Sequence, residues 1–191
     1  MTKAEYRKKY INLRDSLSPV EISRKSSVIS RRVFETDEYK NTNLVLVYYS
    51  VGSEFRTNEI ITRAFADGKR VALVKIIGKE LEFVYIEPGD GHEPGLFGIP
   101  TAPGGNETVR DYSGSLCITP ALSISRELDR LGYGGGYFDR FFARHPETVR
   151  MCCCFDECVS DFLPSEEYDI KADICVTETG MFGGDINGRR K

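Results

Sequence analysis

Residues 44–49, Leu-Val-Leu-Val-Tyr-Tyr, form an uninterrupted apolar run with a high content of strand-forming side chains. A strand with one face in water alternates apolar and polar residues, whereas a strand covered on both faces is apolar throughout. The run therefore predicts a central strand in a sheet with helices on both sides. Other mainly apolar runs alternate with helical patterns further along the chain, at 71–77, 116–119, 149–155 and 174–177. This alternation is typical of an α/β fold, and we predict a single domain (1–191) with three layers, α/β/α, and an open, mostly parallel sheet.

The N-terminal part of the chain predicts two helices. The spacing of apolar residues over 3–17 is that of a helix with one apolar face. The sequence Ser18-Pro19-Val20-Glu21 is a capping box with proline at the first helical position, so a second helix should begin there. Ile22, Ile29 and Val33 recur at the spacing expected of its buried stripe.

Three other segments have a recognisable local pattern. The runs 71–77 and 81–86 are separated by a short turn at Gly78-Lys79, which predicts a β-hairpin. Residues 88–106 are rich in glycine and proline, which predicts a long irregular loop. We expect the tail from Met181 onward to be frayed.

Charge and cysteine content exclude several classes of protein. With a net charge of −3 and no apolar run of membrane-spanning length, we expect neither a nucleic-acid partner nor a membrane. Three of the six cysteines are consecutive at 152–154, where a strand would point them alternately to opposite faces. Such neighbours do not bridge easily, and Cys154 and Cys158 lack the second pair or the histidines of a zinc site. We expect reduced core cysteines in a cytoplasmic, monomeric protein.

Residues 130–140, Arg-Leu-Gly-Tyr-Gly-Gly-Gly-Tyr-Phe-Asp-Arg, combine four glycines with a cationic residue at each end. A glycine-rich turn that leads into a helix presents backbone N–H groups and the positive end of the helix dipole, and both favour phosphate. The stretch is not the G-x-G-x-x-G dinucleotide motif, because Tyr137 occupies the third glycine position, and it lacks the Gly-Lys-Ser/Thr of a P-loop. A tight surface turn would also account for the glycines. The flanking Arg130, Tyr133 and Asp139 favour a ligand site.

The same stretch resembles the signature of the 5-formyltetrahydrofolate cyclo-ligase (5,10-methenyltetrahydrofolate synthetase) family, and the resemblance extends over nearly the whole chain. It implies an enzyme that uses ATP and Mg²⁺ to convert a reduced folate, 5-formyltetrahydrofolate, into 5,10-methenyltetrahydrofolate, ADP and phosphate. The formyl oxygen would attack the γ-phosphate, after which the ring would close and phosphate would leave. Such a reaction needs positioning and charge neutralisation rather than a protein nucleophile. The sequence agrees, since it contains no Ser-His-Asp or Cys-His arrangement.

The resemblance also implies roles for individual residues. Lys3 and Arg7 are similar to the family's ATP-contacting Lys-x-x-x-Arg, and Tyr49 and Glu54 fall where the family contacts the folate. The metal carboxylates of the family correspond to Asp139 and Asp169. The nucleotide loop corresponds to Arg130, Leu131, Gly132, Tyr133, Gly134, Gly135, Gly136, Tyr137 and Phe138. Within that loop, the residues from Tyr133 to Tyr137 also border the substrate, and Arg130 and Tyr137 are implied to be catalytic.

Each of these residues also has a simpler structural explanation. Lys3 and Arg7 could form a solvated helix face, and Glu54 could be a solvated carboxylate on an exposed loop. Asp139 could complement the helix dipole, and Asp169 could form a turn. The functional hypothesis requires more, because the loop 50–56, the glycine turn and the segment near Asp169 must converge at the carboxyl edge of the sheet.

The chain departs from the family pattern at four places. Where the family has Pro-Gly-Leu-Ala-Phe-Asp, residues 120–125 are Pro-Ala-Leu-Ser-Ile-Ser. Leu128 replaces a glycine, Cys158 replaces a glutamine, and Thr101-Ala102 replaces Glu-Pro. These changes leave the residues that correspond to phosphate- and metal-binding positions intact. They alter the part of the chain that the family uses to bind folate. The alternative hypothesis is therefore a non-catalytic nucleotide- or anion-binding module with a degenerate folate pocket.

Overall fold

The computed structural model describes residues 1–184. Its helices are α1 (Lys3–Asp15), α2 (Pro19–Glu35), α3 (Asp37–Asn41), α4 (Asn58–Ala66) and α5 (Tyr137–Arg144). Its strands are β1 (Leu44–Val47), β2 (Arg70–Ile77), β3 (Glu80–Ile86), β4 (Glu93–Pro94), β5 (Pro100–Thr101), β6 (Ser115–Thr119), β7 (Ser123–Ser125), β8 (Arg130–Leu131), β9 (Val149–Cys153), β10 (Val159–Ser160), β11 (Ile174–Val176) and β12 (Met181–Gly183). Two 3-10 turns lie at Leu96–Gly98 and Asp156–Cys158.

Seven strands form the central sheet, in the order β12-β11-β9-β6-β1-β2-β3. The five inner strands run parallel to one another, and the two edge strands, β12 and β3, pair antiparallel with their neighbours. All four residues of β1 are buried, as expected for a strand covered on both faces. The predicted α/β class with a mostly parallel sheet is confirmed. Its carboxyl edge is the edge where β1, β6, β9 and β11 end.

The N-terminal helices follow from their caps and apolar stripes. Thr2 caps α1 through a reciprocal bond with Glu5, and Ser18 caps α2 in the same way with Glu21. Each box satisfies helix N–H groups that would otherwise lack partners. The predicted stripe of α2 is buried, with Ile29 fully so.

The structure corrects the expectation for the C-terminal tail. Residues 181–183 form β12 and pair antiparallel with β11, so this part of the tail is an edge strand and not frayed. The sequence Met-Phe-Gly has little strand propensity of its own, so the pairing with β11 determines the structure. Residues 185–191 lie outside the described part of the chain.

Two short strands within residues 123–131 were not among the predicted elements. Strand β7 pairs antiparallel with β8 and parallel with β10, so a small three-stranded sheet precedes the glycine turn. Leu128 adopts a φ of 68° in the turn between β7 and β8, a conformation that suits the glycine of the family pattern better. The Ser125 hydroxyl accepts from the Asp129 N–H at 3.0 Å and closes this turn.

All six cysteines are free and buried, which confirms the prediction that they form no disulfide. Within residues 1–184, no helix combines the length and apolarity needed to cross a lipid bilayer.

Candidate active site

The glycine turn 132–136 leads into helix α5, as predicted, and it follows strand β8, which was not predicted. Gly134 has a φ of 101° and Gly136 a φ of 64°, both in a region that side chains disfavour. A Cβ at Gly134 would also lie 3.2 Å from the Arg7 guanidinium carbon. Both the backbone conformation and the close approach of another segment therefore require glycine at position 134.

The cations of α1 reach this turn and the segment near Asp169. Arg7 Nε donates to the Gly132 carbonyl at 2.9 Å, and Lys3 Nζ lies 2.5 Å from Asp169 Oδ2 and 3.1 Å from Glu166 Oε2. Burial alone would lower the pKa of Lys3, but hydrogen bonds to the two carboxylates outweigh it and raise the pKa. Lys3 and Arg7 are thus parts of long-range contacts and not a solvated helix face.

Arg130 and Asp139 form a second ion pair at the same place. Arg130 Nη2 lies 3.0 Å from Asp139 Oδ1, and the same oxygen accepts the backbone N–H of Ile170 at 3.2 Å. Because Ile170 follows Asp169, the structure brings the two predicted metal carboxylates to neighbouring segments. The Arg130 side chain is only 5% exposed, and its Nε has no hydrogen-bond partner within residues 1–184. A buried donor without a partner is costly, so this group is poised for an acceptor.

Glu54 joins the loop after β1 to the glycine turn. Glu54 is only 5% exposed. Its carboxylate accepts hydrogen bonds from the Tyr133 hydroxyl at 2.6 Å and from the Val51 N–H at 2.9 Å. The explanation of Glu54 as a solvated loop carboxylate is therefore wrong. Burial and the charge of Glu54 raise the pKa of Tyr133, which keeps the phenol protonated as a donor.

The predicted convergence is confirmed by these contacts: the loop 50–56, the glycine turn and the segment near Asp169 meet at one edge of the sheet. The remaining predicted residues have varied environments. Leu131 is buried in β8, whereas Phe138 and Tyr137 are half-buried, each under an arginine guanidinium. Leu131 therefore supports the turn through the core.

Tyr49 lies at the other side of the loop 50–56. Its ring meets the His92 ring edge-on, with centroids 4.9 Å apart. Glu93, which follows His92 in the chain, lines a cavity of about 450 Å³ between β2 and the loop 93–101. The cavity is also lined by Lys75, Leu96, Ile99 and Thr101. Its walls are therefore largely apolar, with one cationic group from Lys75 and one anionic group from Glu93.

Arg14 was not among the site residues that the sequence predicted. This residue is only 7% exposed, and its Nη2 donates to the Tyr133 hydroxyl at 2.6 Å. A signal was available, because Lys3, Arg7 and Arg14 recur at intervals of four and seven residues and so share one helix face.

Comparisons with known proteins agree on one family. The family model described as "5-formyltetrahydrofolate cyclo-ligase family" matches residues 1–178. A Schizosaccharomyces pombe protein named "Probable 5-formyltetrahydrofolate cyclo-ligase" is 30% identical over 129 residues, which span 65% of this chain and 63% of that protein. The mouse protein named "5-formyltetrahydrofolate cyclo-ligase" is 24% identical over 176 residues, which span 83% of this chain and 84% of that one.

Two solved structures are similar over almost the whole chain. That of the Aquifex aeolicus 5,10-methenyltetrahydrofolate synthetase has a TM-score of 0.83 at 27% identity and covers 96% of this chain and 93% of that one. That of the Mycoplasma pneumoniae 5,10-methenyltetrahydrofolate synthetase has a TM-score of 0.73 at 19% identity, with coverages of 93% and 99%, and supports the fold alone.

Proposed function

Because the chain belongs to the 5-formyltetrahydrofolate cyclo-ligase family, we propose that it converts 5-formyltetrahydrofolate and ATP into 5,10-methenyltetrahydrofolate, ADP and phosphate. One observation carries the proposal beyond family membership. The hydroxyl of Tyr133, in the middle of the glycine turn, donates to Glu54 at 2.6 Å. A turn suited to phosphate and a buried carboxylate suited to the polar groups of a folate are thus adjacent. The reaction needs this proximity, because the formyl oxygen must reach the γ-phosphate.

The chain's cations suit the charge that develops in this reaction. Arg130, Lys3 and Arg7 approach the glycine turn and Asp169 from two segments, and they would stabilise negative charge on the transferring phosphoryl group. Once phosphate is attached to the formyl oxygen, that oxygen becomes a good leaving group. Attack by the second folate nitrogen then closes the five-membered ring and releases phosphate. No protein nucleophile is required, and the residues act by orienting the two substrates.

Asp139 and Asp169 would hold a magnesium ion together with other ligands. Within residues 1–184, no group of three or more histidine, cysteine or carboxylate side chains is arranged to hold a metal. Mg²⁺ does not need one, since it is commonly held by one or two carboxylates together with waters and substrate phosphates. When bound, it would neutralise phosphate charge and polarise the phosphoryl group.

The cavity between β2 and the loop 93–101 would take part of the folate, and it is linked to Tyr49 through His92, which precedes the lining residue Glu93. It is large enough for part of a folate, and apolar walls with a few polar groups are typical of small-molecule sites. Thr101, which replaces the family's glutamate, donates its hydroxyl to the Val74 carbonyl at 2.9 Å and so satisfies a buried acceptor of β2. The comparisons lend no support to the alternative of a non-catalytic binding module.

Steady-state kinetics test the proposal directly. Purified protein with ATP and magnesium should produce the methenyl chromophore from 5-formyltetrahydrofolate, and ATP hydrolysis should depend on the folate. Binding of ATP without the chromophore, and without folate-dependent hydrolysis, would reject the enzyme in favour of the binding module.

A further inference from the structure

We propose that Arg14 is a positioning residue that couples folate binding to nucleotide binding, and that it acts through Tyr133 and Glu54. The inference rests on the proposed function but concerns a residue to which the family resemblance gives no role.

The Arg14 guanidinium joins three segments that come from different parts of the chain. Its Nε donates to Ser53 Oγ at 3.0 Å, Nη1 to the Ala121 carbonyl at 3.4 Å, and Nη2 to the Tyr133 hydroxyl at 2.6 Å. These acceptors lie in the loop after β1, the loop after β6 and the glycine turn. A planar guanidinium presents its donors in a fixed fork, so one side chain fixes the three segments relative to one another.

Arg14 also fixes the orientation of the O–H bond of Tyr133. A phenol has one proton to donate, and Arg14 occupies an acceptor position on its oxygen. The proton is therefore directed to Glu54 Oε1, at 2.6 Å. The Tyr133 residue is 52% exposed, and the Arg14 guanidinium itself lies 5.7 Å from the centre of its ring. The two hydrogen bonds hold the side chain, and loss of Arg14 would release it.

Helix α1 connects this network to the nucleotide side. Arg7 bonds the carbonyl of Gly132, and Arg14 bonds the side chain of the next residue, Tyr133. Seven residues of helix separate the two arginines by about 10 Å along the axis, so α1 holds both as a rigid element. A phosphate ligand that engages Lys3 and Arg7 would bias the position of α1, and Arg14 would pass that bias to Glu54. Coupling of this kind is reciprocal, so folate should also raise nucleotide affinity.

A merely structural role for Arg14 makes a different prediction. A buried arginine that only stabilises the fold would lower the free energy of unfolding when replaced, without a selective effect on one ligand. Arg150 is the matched control, since its side chain is 14% exposed and forms a bidentate pair with Asp173, away from the glycine turn.

The experiment measures binding of 5-formyltetrahydrofolate by calorimetry, with and without a non-hydrolysable ATP analogue, for wild type, Arg14→Met, Arg14→Lys and Arg150→Met. We expect the analogue to tighten folate binding to wild type. Arg14→Met should weaken folate binding roughly 10- to 100-fold and abolish the tightening. The analogue should bind Arg14→Met within about twofold of wild type when folate is absent. Arg14→Lys should retain part of the coupling, and Arg150→Met should lose stability but keep both affinities.

A double-mutant cycle with Tyr133→Phe tests whether Arg14 acts through the phenol. In the Tyr133→Phe background, Arg14→Met should change folate affinity by less than about twofold. A full effect there, an equal loss of both affinities, or no tightening by the analogue in wild type would overturn the inference. If Arg14→Met does not fold, the cycle is run with Arg14→Lys. A wild-type protein that couples the two ligands but forms no methenyl product would instead reject the proposed function.

Discussion

Replacement of Glu54 by glutamine tests the site with almost no change in shape. The carboxylate accepts two hydrogen bonds, from the Tyr133 hydroxyl and the Val51 N–H, and an amide offers only one oxygen. Either arrangement of the amide leaves its NH₂ facing a donor. If the oxygen stays with Val51, the phenol loses its acceptor while Arg14 still donates to the phenol oxygen.

The expected loss of stability follows from this count of hydrogen bonds. One buried donor without an acceptor costs about 1–3 kcal/mol, so Glu54→Gln should lower Tm by roughly 2–12 °C for a chain of this size. The effect on folate should be separate and larger, because the substitution also removes the charge expected to anchor the folate. Loss of a hydrogen bond to a charged group weakens binding about 10- to 150-fold. Nucleotide affinity should change by no more than about twofold, since the phosphate groups are contacted by other residues.

Three measurements on Glu54→Gln check these values: thermal unfolding, calorimetry with 5-formyltetrahydrofolate, and calorimetry with ATP and magnesium. Glu59→Gln is the matched control, because Glu59 is exposed in the first turn of α4 and should change none of the three appreciably. Equal losses of folate and nucleotide affinity would refute the assigned role of Glu54. An unchanged Tm would refute the hydrogen-bond count itself.

Other predictions concern the glycine turn, the carboxylates and a distant ion pair. Gly134→Ala should weaken ATP binding at least about tenfold while the fold is kept, because a side chain at φ 101° costs roughly 1–2 kcal/mol and displaces a cation; calorimetry checks this. Asp139→Asn and Asp169→Asn should each raise the magnesium concentration needed for turnover, and non-additively if they serve one ion. Lys25→Met leaves Glu178, whose side chain is 13% exposed, without its cation, so it should cost about 3–5 kcal/mol in urea titrations. Burial alone would lower the pKa of Lys25, but its two glutamate partners raise it above 10.5, so this difference should persist from neutral pH up to 10.5 and shrink above it.

The parts of the fold that the sequence predicted are those whose signal is local and repeated. The run 44–49 predicted a doubly covered strand, and the capping box at Ser18 predicted the start of α2, because each pattern has one dominant physical cause. Strands β7, β8 and β10 are two or three residues long, too short for any periodicity. Strand β12 exists only because β11 offers it a partner, and such pairing is not visible in the segment itself.

The site shows the same division. The glycine turn and the cations of α1 were visible as residue types, but their meeting at Gly132 spans 125 positions and depends on the whole topology. The burial of Glu54 could not be predicted, since a carboxylate in a loop is usually solvated. Arg14 lies on the helix face of Lys3 and Arg7, but its burial and its contact with Tyr133 depend on how α1 packs against the glycine turn, which the spacing alone does not reveal.

The ion pairs at the site explain how one cluster of charges could serve both nucleotide and metal. Lys3 pairs with Asp169, and Arg130 pairs with Asp139, so the two cations and two carboxylates neutralise one another. A triphosphate that binds at the glycine turn would draw the cations toward its oxygens and leave the two carboxylates without their cationic partners. An uncompensated carboxylate in a partly buried site is costly, and a divalent cation removes that cost. We therefore expect magnesium to bind weakly to the protein alone and tightly when nucleotide is bound. In the complex, phosphate would then replace the carboxylates as partner of the cations, and magnesium would replace the cations as partner of the carboxylates.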